Sequence, residues 1–381
     1  MLKSFLRILY VLLATAMLLT SCRGKEPVQP GQEDEPVVPP VENPVYEGFY
    51  VLNQGNMGSN KATLDYYDFT TATYTRNIYS AANPDIAQSL GDVGNDLKIY
   101  GNRLYAVINA SNLIEVMNAQ TAKHIGTIEV PNCRYLAFKD GYGYVTSYAG
   151  PITSDITKAQ IGYVAKFDTA SLKIVSTCLV GYQPDELEIV GNTLYVANSG
   201  GYMSPNYENT LSVIDLTTFK ETSRIPVAVN LWRVRRDSYN QLWVSSRGNY
   251  KTVQPKLYCV DTQTNKVIDS LAVNVSDMYI CGDSLYACSG DYYSGNTSYH
   301  IINTQTRKIV ANQWFNDPTV EIEVPYGVMV HPKTKDIFVT DAKNYVEPGA
   351  LWCIGQDCKA KWSVRTGDIP AHFALLYKTT K

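Results

Sequence analysis

Tyrosine dominates the residues of this chain that could make chemical contacts, with 29 Tyr against 9 Phe. Seven of them, Tyr148, Tyr202, Tyr207, Tyr250, Tyr292, Tyr293 and Tyr345, fall in long polar stretches such as "NSGGYMSPNYENT" and "SGDYYSGNTS", among Asn, Ser and Gly. That mixture matches antibody loops, where Tyr supplies contact area at low entropic cost and the small polar residues adapt their hydrogen bonds. Its chemistry is recognition rather than bond making.

Signals for catalysis are thin beside it. No G-x-S-x-G elbow occurs, and no Ser stands with a His in a recognisable order. Asp185 with Glu186, and Asp96 with Asp277, are open as acid/base pairs, but nothing in their spacing sets the carboxylate separation that a hydrolase needs. "GNMGSN" is glycine-rich without a following helix, so a phosphate cradle is disfavoured. His331 reads as structural, and His124 and His300 fall in outer strands. His372 is the only His near the expected site, and a metal or cobalt ligand role is open to it. No CxxC pair or EF-hand pattern occurs, although calcium among the loop Asp and Asn residues stays possible.

The elements that must position these residues repeat. "DLKIYGNRLYAVINASNLIEVMNAQTAKHIGTIEV" from Asp96 and "ELEIVGNTLYVANS…LSVIDLTTFKETSRIPV" from Glu186 share one plan: apolar strand, Gly-Asn turn, "LY" strand, loop, strand ending in Asp or Asn, Thr-containing turn, final strand. Four more copies follow, and a seventh is split, with "HFALLYK" at the end supplying the strand that "FYVLNQ…TLDYYDF" lacks at the start. A period of about 40 to 50 residues belongs to propellers. The fold expected is all-β, a seven-bladed β-propeller of four antiparallel strands per blade, closed by pairing the chain ends so that no sheet edge is left open.

Tight turns such as "GN", "GD" and "TQTN" go to one face and the long loops to the other, which gathers the tyrosines into a collar. Beneath it, the starts of the inner strands are expected to ring the channel mouth with Asn95, Arg134, Asp185, Asn230, Ser276, Tyr326 and Ala371, followed by Asp96, Tyr135, Glu186, Leu231, Asp277, Gly327 and His372. The candidate binding set is the seven tyrosines with Arg134, Tyr135, Asp185, Asn198, Asn230, Trp232, Arg247, Tyr326 and His372. No metal set is assigned.

Residues 1–21 read as a lipoprotein signal peptide: Lys3 and Arg7 precede an apolar run shorter than the ~20 residues of a membrane span, and "LTSC" ends at Cys22, the expected lipidation site. Residues 22–44, rich in Pro and acid, read as an extended tether, and 45–381 as the propeller. A net charge of −3 with both signs interspersed disfavours nucleic acid. There are eight cysteines, Cys22 included; for disulfides, Cys353 with Cys358 is the first expectation and Cys281 with Cys288 the second.

The repeated "GN-x-LYV…V-I-D-x-x-T…K-x-I" unit resembles the YncE-like or YVTN-type seven-bladed propellers over essentially the whole mature chain. With the lipobox, the acidic tether and the opening "EGFYVLNQGNMGSNKATLDYYDF", the chain is most similar to the BtuG-type surface-exposed cobalamin-binding lipoproteins of gut Bacteroidetes. The resemblance implies a non-enzymatic role without a cofactor: surface capture of cobalamin (vitamin B12) and related corrinoids, and delivery to a BtuB-type TonB-dependent outer-membrane transporter. A surface glycan-binding protein and a propeller lactonase or lyase are the alternatives.

Overall fold

A computed structural model describes residues 44–86, 89–291 and 294–378. The expected signal peptide, the expected lipidation site Cys22, the expected tether up to residue 43, Tyr292 and Tyr293 lie outside the described residues. Val45–Lys378 forms one unit.

Local chemistry makes the repeat fold as it does. At the first turn of several blades the chain must enter positive φ; Gly101 (60°) and Gly191 (57°) do so with open space where a Cβ would stand, so conformation rather than crowding requires glycine there. The Asp or Asn that ends the third strand builds the next turn. Oδ1 of Asp68, Asn118, Asp168, Asp215, Asp261 and Asn303 accepts backbone N–H groups two or three residues on. These turns are the structural meaning of the repeated D-x-x-T.

Seven four-stranded antiparallel sheets result. Their inner strands are Pro370–Lys378 for the first blade, then Gly94–Tyr100, Cys133–Lys139, Pro184–Val190, Leu231–Arg236, Asp277–Cys281 and Pro325–Val330 for the second to seventh. The first blade joins both chain ends: Pro370–Lys378 pairs with Val45–Asn53, Phe49 opposite Leu375 and Val51 opposite Phe373. Apolar clusters fill the gaps between blades, and the one at the closure holds Phe49, Val51, Met329, Phe338 and Leu351. One short helix, Ile78–Ala82, lies between the first and second blades in sequence. Among the described residues no helix is long and apolar enough to cross a membrane.

The expected disulfides are corrected. Cys353, Cys358, Cys281 and Cys288 are all free thiols. In their hairpin Cys281 pairs with Ser284 while Cys288 pairs with Asp277, which puts the two cysteines at opposite ends of the ladder. Cys353 faces the apolar closure, whereas Cys358 sits exposed in the turn that follows.

Candidate functional site

At the start of the inner strands the ladder slips. Register shifts fall between Gly94 and Asp96, Cys133 and Leu136, Pro184 and Leu187, Leu231 and Val234, and Pro325 and Val328. Such bulges release one residue from pairing in the second blade and two in each of the other four, and re-aim their side chains. The freed amides are caught by hydroxyls of the second strand: Tyr135 N–H donates to Thr146, Arg233 N–H to Ser245, and Gly327 N–H to Thr340.

Side chains from blades that are not neighbours then meet across the axis. Tyr135 of the third blade accepts hydrogen bonds at its hydroxyl from Trp232 Nε1 (3.1 Å) and Arg233 Nη1 (3.2 Å) of the fifth, and its ring meets that of His372 of the first edge-on at 6.4 Å. His372 Nε2 lies 3.5 Å from Gln54 Nε2, and Gln54 Oε1 accepts from the Tyr326 hydroxyl. Burial pushes the Tyr135 phenol up to about 12. Burial, with repulsion from Arg233, Lys98, Arg235 and Arg134, holds His372 well below the ordinary imidazole range, so it is neutral.

Carboxylates below the mouth are spent on structure. Asp96, Glu186 and Asp277 each accept a backbone N–H from the next inner strand shown, at Leu136 (2.8 Å), Val234 (2.7 Å) and Val328 (3.0 Å). They thereby tie blade to blade. Glu186 and Asp277 also pair with Arg233 and Arg235. Burial raises Glu186, but Arg235 and Arg233 overcome it and hold the carboxyl below its usual range.

At the mouth, Asp185 is fully buried. Its Oδ1 accepts from the Tyr148 hydroxyl and its Oδ2 from Arg247 Nη2, both at 2.8 Å. The guanidinium of Arg134 lies over the Tyr148 ring at 4.8 Å, and those of Arg233 and Arg247 lie 4.5 and 4.8 Å from the centre of the Trp232 ring. These are cation–π distances. Above them Tyr202 is 48% exposed, edge-on to Tyr148, and Tyr250 is 67% exposed, 6.5 Å from Tyr207. Tyr345 meets Tyr326 edge-on at 5.8 Å.

The expected collar therefore divides. Arg134, Tyr135, Tyr148, Asp185, Trp232, Arg247, Tyr326 and His372 converge on the mouth. Tyr202, Tyr207 and Tyr250 stand on the rim, with Tyr345 at the seventh blade. Asn198 is fully buried away from the mouth, where it accepts from Gly181 N–H and donates to Thr210 and Ser212. Asn230 sits at positive φ before the inner strand, donates to Gly248 O and accepts from Arg247. Its place in the ring, and that of Leu231, belong to Trp232 and Arg233, since Val234 rather than Trp232 is the first core residue of the fifth blade. Arg233, Arg235 and Gln54 are site residues the sequence reading missed. The alternation in "WRVRR", which puts Arg233 and Arg235 on one face, was the signal for two of them. Among the described residues no three His, Cys, Asp or Glu side chains come together as a metal-ligand set.

Seven four-stranded blades closed by the last strand around a side-chain-filled channel define a β-propeller. Within that class the chain belongs to the domain of unknown function family DUF5074, whose profile matches residues 47–348. Solved structures are similar in fold alone. A putative 6-phosphogluconolactonase from Bacteroides fragilis gives a TM-score of 0.62 at 10% identity, covering 87% of this chain and 98% of that one. Hydrazine synthase of Kuenenia stuttgartiensis gives 0.61 at 15%, covering 75% and 95%. A quinonprotein alcohol dehydrogenase-like protein from Bacteroides thetaiotaomicron gives 0.58 at 12%, covering 88% and 79%. No curated protein matches the sequence.

Proposed function

We propose that the chain is a non-catalytic capture protein that binds cobalamin or a related corrinoid at the channel mouth. We further propose that it is lipid-anchored at Cys22 in the outer membrane, exposed at the cell surface, and delivers its ligand to a BtuB-type TonB-dependent transporter. The observation that carries the reading is the layered mouth: Trp232 and Tyr135 in the floor, with Tyr202 and Tyr250 exposed on the rim above. A corrinoid is a large rigid disc edged with amides. Flat aromatic surfaces suit its faces, each stack adding ~0.5 to 1.5 kcal/mol beyond burial, and loop Asn, Ser and backbone groups suit its edge. A closed ring presents those groups with little ordering cost on binding. An enzymatic reading is weaker because Asp96, Glu186 and Asp277 are already engaged by backbone amides.

Equilibrium dialysis against cyanocobalamin tests where the ligand sits. Trp232→Ala, and Tyr202→Ala combined with Tyr250→Ala, are each expected to weaken binding about tenfold or more, the loss of roughly 1.4 kcal/mol or more. Unaltered affinity in both variants would remove this face as the site. Retention on a polysaccharide array with no corrinoid uptake would select the glycan-binding alternative, for which exposed tyrosines serve equally.

A further inference from the structure

Arg134 is a cation with unspent donors. A guanidinium carries five N–H groups, yet that of Arg134 makes no hydrogen bond to another described residue, and its Nε is buried without a partner. The nearest carboxylate oxygen, Asp185 Oδ1, stands 3.5 Å from Nε. That oxygen accepts from the Tyr148 hydroxyl and Oδ2 from Arg247, and at 3.5 Å the Arg134 Nε makes an ion pair with Oδ1 without a hydrogen bond. Buried polar groups are normally satisfied, so this one asks for a partner.

The charge balance at the mouth points the same way. Asp185 alone faces both Arg134 and Arg247. Glu186 and Asp277 are held by Arg233 and Arg235, Asn230 gives Arg247 only a neutral oxygen, and His372 is neutral. Four arginines, Arg134, Arg233, Arg235 and Arg247, thus face three carboxylates, Asp185, Glu186 and Asp277, while Glu188, two residues further along its strand than Glu186, faces Arg235, Lys98 and Arg236; beside the Trp232 ring and beneath Tyr202, Arg134 and Arg247 share the single charge of Asp185.

We infer that the mouth contains an oxyanion subsite in which Arg134 and Arg247, flanked by Trp232 and Tyr202, take one carboxylate or phosphate group carried by the ligand. A guanidinium fork engages two oxygens of such a group at once, and removal of the surrounding water strengthens the contact. The subsite stands on this geometry whether or not the ligand is a corrinoid.

The test uses the protein with inorganic phosphate and, separately, acetate at millimolar concentration, against chloride at equal ionic strength. Phosphorus-31 line broadening reads phosphate, and thermal unfolding reads both. Either oxyanion is expected to raise the melting temperature where chloride does not, with the stronger of the two distinguishing a tetrahedral from a planar group. Arg134→Gln is expected to weaken the effect about tenfold, Arg134→Lys less, and Arg307→Gln, in the outer turn of the sixth blade, not at all. If phosphate and acetate act no differently from chloride, or Arg307→Gln weakens them as much as Arg134→Gln does, the subsite is wrong; should Arg134→Gln not fold, the wild-type comparison with chloride decides. A protein that ignores cyanocobalamin but holds phosphate through Arg134 loses the corrinoid reading and keeps the subsite. One that binds cyanocobalamin while ignoring both oxyanions keeps the reading and loses the subsite.

Discussion

His372 shows how burial converts a titratable side chain into a pH liability. Its folded-state pKa lies well below the ordinary 6.5, so the unfolded chain binds the extra proton first. Its contribution to stability is full above pH 6.5 and is lost as the pH falls from there toward the folded value; His331, lowered chiefly by burial, acts in the same sense. Denaturant unfolding is expected to give lower stability at pH 5.5 than at pH 7.5, about those two values, with a shallower slope in His372→Gln. An identical slope in that variant would contradict the assignment. Asp277 offers a second test, because its loss leaves Arg233 and Arg235 with one carboxylate fewer in a buried site. Asp277→Asn is expected to cost about 3 to 5 kcal/mol of stability. Much of this was legible in residue type: Arg134, Tyr135, Asp185 and His372 were polar groups at strand starts that a core did not need. Asn198 and Asn230 were not separable from them, because Asn serves a ligand and an orphan backbone group with the same donors and acceptor.

At the level of the strand, the bulge that opens six of the seven inner strands, the sixth blade's being in register throughout, is what turns a packing element into a candidate site. The seven-blade count, the split blade and the one-sided loops were legible because Gly-Asn turns and Asp-x-x-Thr endings recur at a fixed spacing. The fifth blade misled for a physical reason. A large apolar Trp232 beside Leu231 has the look of a strand core, and only the register shift before Val234 shows that Trp232 and Arg233 are released from the ladder. Closure is the second strand-level feature. Phe49 is fully buried against Phe338, with ring centres 4.7 Å apart, where the first and seventh blades meet. Phe49→Ala is expected to lose about 3 to 5 kcal/mol in equilibrium unfolding. A loss below about 1 kcal/mol would mean that this seam does not hold the ring.

The unit Val45–Lys378 is a closed ring of blades whose two faces differ in composition: tight turns on one, and on the other a rim of exposed tyrosine over a floor of Trp, Tyr and Arg. The ring fixes the floor through blade-to-blade hydrogen bonds at Leu136, Val234 and Val328, so little ordering is left for the moment of binding. A rigid, flat, amide-rich ligand would exploit that arrangement; a flexible one would gain less from it. Calorimetric titration of the protein with cyanocobalamin is the most direct measurement. One-to-one binding with a nanomolar or tighter dissociation constant, about −12 kcal/mol or better, is the predicted result. No detectable heat at micromolar protein would contradict cobalamin capture.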